Sequence, residues 1–272
     1  MKSILRASVN YLPYELRHWV KHLPGIAGLQ RRLVSHVLAG EPFIHAINAG
    51  PAAGLRFEVT LPMDKAIWAG TCEPLFAAAI ADGVKQGDVC YDIGGYRGYM
   101  TGVMALAGAS RVIVFEPLPE NQAALRRLCA LNPQLTIELQ SFAVGDSDGT
   151  IELKVMPDAS MGKLVTSSFQ AGVPFAAVID VTIRRLDTLV ASREIPPPNL
   201  IKIDVEGAEM DVLRGAAQVL RASRPRIFLE AHTAALEAAC MRELSLLGYR
   251  ARRLEANPGG DEQTRHLIAT PV

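Results

Sequence analysis

The sequence predicts an α/β fold in which a mostly parallel sheet carries helices on both faces. Three short apolar segments, residues 89–93, 111–115 and 200–204, indicate buried strands, and a helical pattern follows each one. Strands that alternate with helices favour parallel pairing through right-handed crossovers. With 272 residues, 49% of them hydrophobic, the chain is long enough for one sizeable α/β domain and an N-terminal extension.

The N-terminal region predicts a separate extension over residues 1–62, ahead of a main domain over residues 63–272. Apolar residues recur at helical spacing on both sides of Pro24-Gly25, which predicts two short helices before residue 40. An alternating apolar pattern over residues 54–61 predicts a half-exposed strand. The role of the helices stays open between a lid, a homodimer surface and a membrane contact.

Residues 89–99 combine a buried strand, a tight turn and a helix start. Gly94, Gly95 and Gly98 let the backbone approach a ligand where a side chain would collide, and the helix directs its free N–H groups toward that ligand. The spacing is not the G-x-G-x-x-G of dinucleotide sites, because Tyr96 stands where the second glycine is needed. The stretch therefore predicts a small-molecule site that fits a nicotinamide or flavin cofactor poorly.

The end of the first strand carries a carboxylate, Asp92, in place of a glycine. A carboxylate beside the binding turn suits a positively charged ligand and would repel a pyrophosphate. S-adenosylmethionine carries an ammonium and a sulfonium group. We therefore expect S-adenosylmethionine as the cofactor.

The second strand ends at Glu116-Pro117. An acidic residue at this position in nucleotide-binding α/β folds accepts hydrogen bonds from ribose hydroxyls, which is the expected role of Glu116. The alternative is that the acid merely favours the start of the next helix. We expect Pro117 to be the first residue of that helix, which should stop at Asn132-Pro133.

The segment after the third predicted strand, residues 136–139, is less clear. Phe142 and Ala143 fall where an adenine would lie, but the acceptor for its amino group stays open among Gln140, Ser141 and Asp146. Alternating residues after a turn at 146–149 predict a hairpin. Residues 156–180 show no clean period, which predicts a substrate lid, with a disordered linker as the alternative.

Several separated motifs together resemble the FkbM family of methyltransferases. They are residues 92–99, Phe115-Glu116-Pro117, Ala143-Val144-Gly145-Asp146, Arg185-Leu186-Asp187 and residues 202–209. The resemblance covers roughly residues 64–270 and implies a class I Rossmann-like methyltransferase, whose seven-stranded sheet closes with a C-terminal antiparallel hairpin. Residues 250–254 and 266–270, which flank a Pro-Gly-Gly turn, suit that hairpin.

The resemblance also implies an activity and a set of cofactor contacts. Members of the family mostly methylate hydroxyl oxygens of sugars, polyketides and related natural products, so a small-molecule acceptor is expected. The segment with Trp68, Gly70 and Glu73 is implied to border the cofactor. Together with the turn, the resemblance predicts these cofactor-binding residues: Asp92, Gly94, Gly95, Tyr96, Gly98, Glu116, Pro117, Phe142, Ala143 and Asp204.

Acidic residues and a histidine follow the later strands and predict the chemistry. Asp204 and Glu206 are two residues apart, so an extended backbone would point both side chains the same way, and Glu230 and His232 share that spacing. An alcohol must lose its proton as it attacks a methyl group. His232 has a suitable intrinsic pKa, Asp204 or Glu206 could serve if burial raises theirs, and we expect His232 or Asp204 to be the base. The alternatives are a structural His232 and a helix-start role for Glu206.

A metal is a weaker expectation, since Asp204, Glu230 and His232 could hold Mg²⁺ although their spacing is not a metal motif.

Composition disfavours several other classes of protein. Lys plus Arg and Asp plus Glu both number 28, so no global field favours nucleic acid. The four cysteines form no C-x-x-C pair and are expected to be reduced. With no apolar run of membrane-spanning length, a cytoplasmic location is expected. N-methylation, a catalytically silent S-adenosylmethionine-binding protein and a degenerate nicotinamide enzyme remain alternatives.

Overall fold

The computed structural model describes residues 40–156, 162–164, 175–254 and 265–272. The two predicted N-terminal helices and most of the predicted lid lie outside these ranges. The strands in chain order are β1 (Phe43–Ala46), β2 (Arg56–Val59), β3 (Val89–Ile93), β4 (Arg111–Phe115), β5 (Ile137–Gln140), β6 (Ala143–Val144), β7 (Gly149–Val155), β8 (Gly162–Leu164), β9 (Ala177–Arg184), β10 (Leu200–Ile203), β11 (Arg226–Ala231), β12 (Tyr249–Arg253) and β13 (Arg265–Pro271). The helices are α1 (Lys65–Ala69), α2 (Pro74–Gly83), α3 (Tyr99–Leu106), α4 (Pro119–Leu131), α5 (Leu186–Ala191), α6 (Glu209–Gly215), α7 (Ala217–Ser223) and α8 (Ala234–Leu246).

The main sheet confirms the predicted topology. Its strand order is β12-β13-β11-β10-β3-β4-β5. The five strands from β11 to β5 are parallel, whereas β13 runs antiparallel to β11 and pairs with β12 as the predicted C-terminal hairpin. This is the class I methyltransferase fold that the sequence predicts. The carboxyl ends of β3, β4, β10 and β11 consequently share one edge of the sheet.

Each face of the sheet buries its own apolar core, because successive side chains along a strand point to opposite faces. Tyr91 and Ile93 of β3 face a cluster that includes residues of α5, α6, α7 and α8. Cys90 faces a second cluster that includes residues of α2, α3 and α4. Helices therefore cover both faces, as predicted. Asp92 and Lys202 lie at alternate positions between these apolar residues and are themselves buried.

The small sheet of β1 and β2 packs into the second cluster. Leu55, Phe57 and Val59 are buried there beside residues of α3 and α4. Asn132, at the end of α4, accepts a hydrogen bond from the Arg56 N–H at 3.0 Å and donates one to the Arg56 carbonyl at 2.8 Å. The described part of the N-terminal extension thus shares the core of the main domain, and the boundary at residue 62 stays a prediction.

A second sheet, with strand order β6-β9-β7-β8, corrects the predicted hairpin over residues 143–155. Strand β6 pairs in parallel with β9, and β7 pairs with β9 in antiparallel orientation, so β6 and β7 do not pair with each other. Local alternation identified β7 as a strand, but β7 pairs with β8 and with β9, and its β9 partners lie 22 to 34 residues later in the chain. Leu153 and Val181 of this sheet pack against Leu118 and Ala208.

The start of α4 also differs from the prediction. The helix begins at Pro119 rather than Pro117, with Leu118 as its N-cap residue. The carboxylate of Glu116 accepts a hydrogen bond from the Leu118 N–H at 2.9 Å, which holds residues 116–118 in a turn before the helix. The predicted stop at Asn132 is confirmed. Among the described residues, no helix combines the length and apolar character needed to cross a bilayer.

Candidate active site

A cleft of about 330 Å³ opens at the shared carboxyl edge of β3, β4, β10 and β11. Ligands of open α/β sheets bind at this edge, next to the turns that follow the strands. The ionisable side chains in its lining are those of Glu73, Glu116, Asp204, Glu206, Glu230 and His232. Within the described part of the chain, no lysine or arginine belongs to the lining. The cleft is therefore strongly acidic.

The turns after β3 and β10 touch each other, and glycine is required at their contact. Gly94 has a φ of 79°, and a Cβ placed on it would lie 1.8 Å from the carbonyl oxygen of Asp204. The ammonium of Lys202 donates a hydrogen bond to the Gly94 carbonyl at 2.7 Å. Lys202 thereby links the two turns that form one wall of the cleft.

Asp92 lies beneath the cleft rather than on its wall. Its side chain is fully buried and accepts a hydrogen bond from the Thr101 hydroxyl at 2.6 Å. The Lys202 Nζ lies 3.2 Å from Asp92 Oδ1 and 3.2 Å from Asp204 Oδ2. Burial alone would lower the pKa of Lys202, but the charges of Asp204 and Asp92 outweigh it and raise that pKa. Asp92 therefore pairs with a cation of the protein itself.

Glu116 occupies the end of β4, where its carboxylate faces the turn after β3. It is 4% exposed, and it accepts hydrogen bonds from the N–H groups of Tyr96 at 2.8 Å and Leu118 at 2.9 Å. Burial raises the pKa of Glu116 to about 7, although these hydrogen bonds and one with Asn121 act in the opposite direction. The wall at this end of the cleft is thus a carboxylate held in place by backbone donors.

His232 stands among four carboxylates. Its Nδ1 lies 2.6 Å from Oε1 of Glu209, a side chain that is fully buried. Its Nε2 lies 3.6 Å from Asp204 Oδ1, 3.5 Å from Glu206 Oε2 and 3.7 Å from Glu230 Oε1. The buried pair with Glu209 orients the imidazole so that Nε2 faces the acids of the cleft.

The protonation of this group follows from its charges. Burial acts to lower the pKa of His232, but the hydrogen bond with Glu209 and the charges of Asp204 and Glu206 raise it to about 9. Burial raises the pKa of Glu206 to about 7, against the lowering effect of His232. At neutral pH His232 is an imidazolium, whereas Glu206 lies near its midpoint of titration.

Three non-glycine residues on the cleft wall have left-handed backbone conformations: Glu73 (φ 41°), Tyr96 (φ 50°) and Glu206 (φ 53°). Such conformations are unfavourable for side-chain-bearing residues and are often found at functional sites. The backbone is therefore not extended at Glu206, contrary to the expectation from its spacing to Asp204. Both carboxylates still face His232, because Glu206 turns back through the left-handed region.

A second histidine, His266 of β13, connects two acids at the edge of the cleft. Its Nε2 lies 3.3 Å from Glu230 Oε2 and 3.5 Å from Glu73 Oε2. Its ring stacks on Phe76 with 3.9 Å between the ring centres. Burial acts to lower the pKa of His266, but Glu230 and Glu73 raise it to about 9. Glu230 therefore lies between two imidazolium groups.

The structure places some of the predicted site residues on the cleft and others away from it. Those that line the cleft are Gly94, Tyr96, Glu116, Pro117, Ala143, Asp204, Glu206 and His232. Those that do not line it are Asp92, Gly95, Gly98 and Phe142. Gly95 is instead required by packing, because a Cβ there would lie 2.0 Å from Val114. Phe142 packs with its ring centre 5.8 Å from that of Phe115.

Sequence reasoning missed some members of the site. Asn121 lines the cleft from α4, whereas Gln140, Ser141 and Asp146 do not. His266 lies beside Glu73 and Glu230 at the edge of the cleft, but the sequence pattern of its segment predicted only a strand and no site residue. Glu73, in the segment that the resemblance placed beside the cofactor, does line the cleft.

The three residues named for Mg²⁺ come together. Asp204, Glu230 and His232 offer ligand atoms that all lie within 4.8 Å of one another, as do Glu73, Glu230 and His266. This proximity is compatible with a metal and equally with imidazolium groups paired to carboxylates.

A glycine-turn cradle, an acidic cleft and this sheet order define a methyltransferase. The Methyltransferase FkbM domain model matches residues 92–251, which is more than half of the chain, so the chain belongs to the FkbM methyltransferase family. The resemblance found in the sequence is thus confirmed.

Relatives share part of the chain. The hexuronic acid methyltransferase AglP of Haloferax volcanii is 30% identical over 139 residues, which is 50% of this chain and 53% of that protein. Methyltransferase 1 of Beauveria bassiana is 27% identical over 185 residues, covering 62% of this chain and 71% of that protein. The chain thus spans about half the length of the Haloferax relative. The crystal structure of the FkbM methyltransferase of Methylobacillus flagellatus KT aligns with a TM-score of 0.49 and 17% identity, over 73% of this chain and 51% of that chain.

Proposed function

We propose that this chain transfers a methyl group from S-adenosylmethionine to a hydroxyl oxygen of a small-molecule acceptor. Membership of the FkbM family supports methyl transfer. The observation that carries the proposal is the junction of the Gly94 turn with the acidic turn at Asp204 and Glu206. It puts a cradle for a cofactor directly beside carboxylates that suit a cationic sulfonium and can accept a proton.

The cofactor fits the residues around the Gly94 turn. The backbone of Gly94 and Tyr96 would hold the amino-acid portion, and Glu116 would accept hydrogen bonds from the ribose hydroxyls. Pro117, Leu118, Asn121 and Ala143 form the adjoining wall, against which the base would lie. When bound, S-adenosylmethionine supplies an electrophilic methyl group. Asp92 acts from beneath the turn, through Lys202, rather than by contact with the ligand.

The ionisable residues on the acceptor side of the cleft differ in how well each could act as the general base. Asp204 is already engaged by two cations, with Lys202 Nζ 3.2 Å from its Oδ2 and His232 Nε2 3.6 Å from its Oδ1. His232 is protonated at neutral pH because its pKa is raised to about 9 by Glu209 and the cleft acids, against the effect of burial. Glu206 has a pKa raised by burial to about 7, which matches neutral operation. Glu206 is therefore the proposed general base.

His232 then has a different role. Its imidazolium faces Asp204, Glu206 and Glu230 at 3.5 to 3.7 Å, and it orients these carboxylates and offsets their mutual repulsion. Glu209 keeps the ring in position from the buried side at 2.6 Å. Replacing His232 would consequently disturb several acids at once rather than remove one proton carrier.

The nature of the acceptor rests on the relatives. The Haloferax relative is named for hexuronic acid, which supports a saccharide-like acceptor here. N-methylation of a small molecule is the alternative reaction, because an amine would also be held beside a cluster of acids. The product distinguishes them, since the new methyl group has different carbon chemical shifts on oxygen and on nitrogen.

Mg²⁺ assistance of the same reaction is the second candidate, favoured by the ligand distances within 4.8 Å of one another at Asp204, Glu230 and His232. A protonated imidazole cannot ligate a metal, so Mg²⁺ would have to displace the proton of His232 in order to bind there. Activity that survives exhaustive treatment with a chelator would support a metal-free reaction. Activity that is lost and then restored only by added Mg²⁺ would show that the metal takes part.

The test of the proposed function is single-turnover methyl transfer from isotopically labelled S-adenosylmethionine to a panel of glycosides and polyketide alcohols. We expect label in an O-methyl product with the wild-type chain. Glu206→Gln should lose most of the rate while it still binds cofactor. The matched control is Glu120→Gln, on the exposed first turn of α4. An unchanged rate in Glu206→Gln would remove Glu206 from the mechanism.

A further inference from the structure

The acceptor end of the cleft has a surplus of negative charge. The carboxylates clustered at this end are those of Glu73, Asp92, Asp204, Glu206, Glu209 and Glu230, and the cationic groups in contact with them are Lys202, His232 and His266. Each cation faces at least two carboxylates. Even with both imidazoles protonated and Glu206 near the midpoint of its titration, the negative charges outnumber the positive ones.

The surplus lies where an acceptor would bind. Lys202 is buried and is matched by Asp92 and Asp204, and the Nδ1 of His232 is matched by the buried Glu209. Apart from Glu116 at the cofactor end, the acids that line the cleft beyond these pairs are Glu206, Glu230 and Glu73. Glu230 and Glu73 share a single further cation, His266, at 3.3 and 3.5 Å. Glu73 is the most accessible of the three, with its side chain 40% exposed at the rim. A ligand entering past Glu73 therefore meets carboxylates first.

The cofactor offsets only part of this charge. S-adenosylmethionine carries one sulfonium charge beyond its zwitterionic amino-acid group, which leaves an excess of acids on the acceptor side. An acceptor with a carboxylate or phosphate would add like charge within a partly desolvated cleft, which is strongly unfavourable. A protonated amine would instead form charge-assisted hydrogen bonds with the rim and cleft carboxylates.

We propose, on the basis of the proposed function, that the acceptor is an amine-bearing polyol, in which a protonated amino group lies near the hydroxyl that is methylated. Glu73 and Glu230 bind the amino group, and acceptors that carry a carboxylate or phosphate are rejected. The Haloferax relative is named for hexuronic acid, whose carboxylate has the opposite charge. The two proteins would then differ in the charge of their acceptors.

The experiment compares a neutral sugar with two charged sugars, each of which differs from it in one substituent. Methyl glucosaminide, methyl glucoside and methyl glucuronide present a cation, a neutral group and an anion on the same ring. Their binding to the chain saturated with S-adenosylhomocysteine is measured by saturation-transfer NMR at low and high salt. We expect the glucosaminide to bind at least tenfold more tightly than the glucuronide at low salt, with the neutral sugar between them. The preference should shrink as salt is added.

Substitutions of Glu73 and of a control residue test which side chain causes the preference for the amine-bearing sugar. Glu73→Gln should reduce the preference for the amine about threefold to tenfold, and Glu73→Lys should abolish or reverse it. Glu120→Lys introduces the same change of charge on an exposed site away from the cleft and should leave the preference intact. An unchanged preference in Glu73→Lys, or an equal loss in Glu120→Lys, would overturn the assignment of Glu73.

The remaining outcomes separate this inference from the proposed function. Tight binding of S-adenosylhomocysteine together with a preference for the glucuronide, or with no detectable binding of the glucosaminide, would overturn the inference and leave the methyltransferase proposal in place. Absence of cofactor binding at the saturation step would refute both, because the acceptor end is defined by the cofactor beside it.

Discussion

Replacement of Lys202 by methionine tests the link between the two turns of the site. The side chain is 3% exposed, and its Nζ contacts the Gly94 carbonyl, Asp92 and Asp204 at 2.7, 3.2 and 3.2 Å. Methionine keeps the volume and the apolar stem but removes the charge. Asp92, which is fully buried, then loses the ion pair that it makes with Lys202.

The expected magnitude follows from burial. Removing one partner of a buried ion pair typically destabilises a protein by about 3–5 kcal/mol, because the remaining charge is left uncompensated. The matched control is Arg111→Met, which breaks the pair with Glu138 on neighbouring strands of the same sheet. Those side chains are 38% and 36% exposed, and such pairs contribute about 0–1 kcal/mol. Typical stabilities are about 5–15 kcal/mol, so a protein above the lower end of that range would retain its fold in either variant.

Urea unfolding gives the free energy of unfolding of each variant by linear extrapolation. Asp92→Asn, alone and combined with Lys202→Met, completes a double-mutant cycle. We expect the double variant to be more stable than the sum of the single effects predicts, because Asn leaves no uncompensated charge. Losses for Lys202→Met and Arg111→Met within about 1 kcal/mol of each other, or strictly additive effects in the cycle, would refute the reasoning.

Three further predictions concern the cleft. Glu116→Gln should weaken cofactor affinity, and its stability relative to the wild type should rise by up to about 3 kcal/mol between pH 4.5 and pH 8, because burial raises the pKa of Glu116 from 4.5 to about 7 and the cost of ionising it grows across that range. The amide nitrogen cannot accept a hydrogen bond from the Tyr96 or Leu118 N–H, which lowers the stability of the variant by a similar amount at every pH. Unfolding and calorimetry across pH would check both effects, and a gain that does not depend on pH would contradict them. The rate of methyl transfer should rise from pH 6 to 8 as Glu206 ionises and then level, whereas Glu206→Gln should be about 10²- to 10⁴-fold slower with a flat profile. Gly94→Ala should lose cofactor binding and stability, since its Cβ would lie 1.8 Å from the Asp204 carbonyl oxygen; cofactor titration that matches the wild type would show that the turn is not the cradle.

The sequence predicted the parts of the fold that depend on local pattern. Strands β3, β4 and β10 and the closing hairpin of β12 and β13 agree with the prediction, because buried parallel strands and turns have strong local signals. The pairing of β6 and β7 with β9 was missed, since a partner that is distant in sequence leaves no mark on local alternation. The helix start at Pro119 was missed because two prolines, at 117 and 119, carried the same signal.

The candidate site likewise has parts that local sequence pattern revealed and parts that it did not. Gly94, Glu116 and the acids at 204 and 206 were identified from the ends of strands, and they line the cleft. Asp92 was expected to face the ligand, but side-chain alternation along β3 turns it toward Lys202 in the core. The protonation of His232 was expected to suit a base, and only the three-dimensional arrangement shows that four acids surround its ring. The protonation of a side chain depends on tertiary contacts, and the spacing of residues along the sequence does not reveal those contacts.

Isothermal calorimetry of the purified chain with S-adenosylmethionine, S-adenosylhomocysteine and NADH tests the central claim most directly. The account predicts one-to-one binding of the first two, weakened in Glu116→Gln, and no binding of NADH. Binding of NADH without binding of S-adenosylmethionine would contradict it and would move the search to hydride transfer.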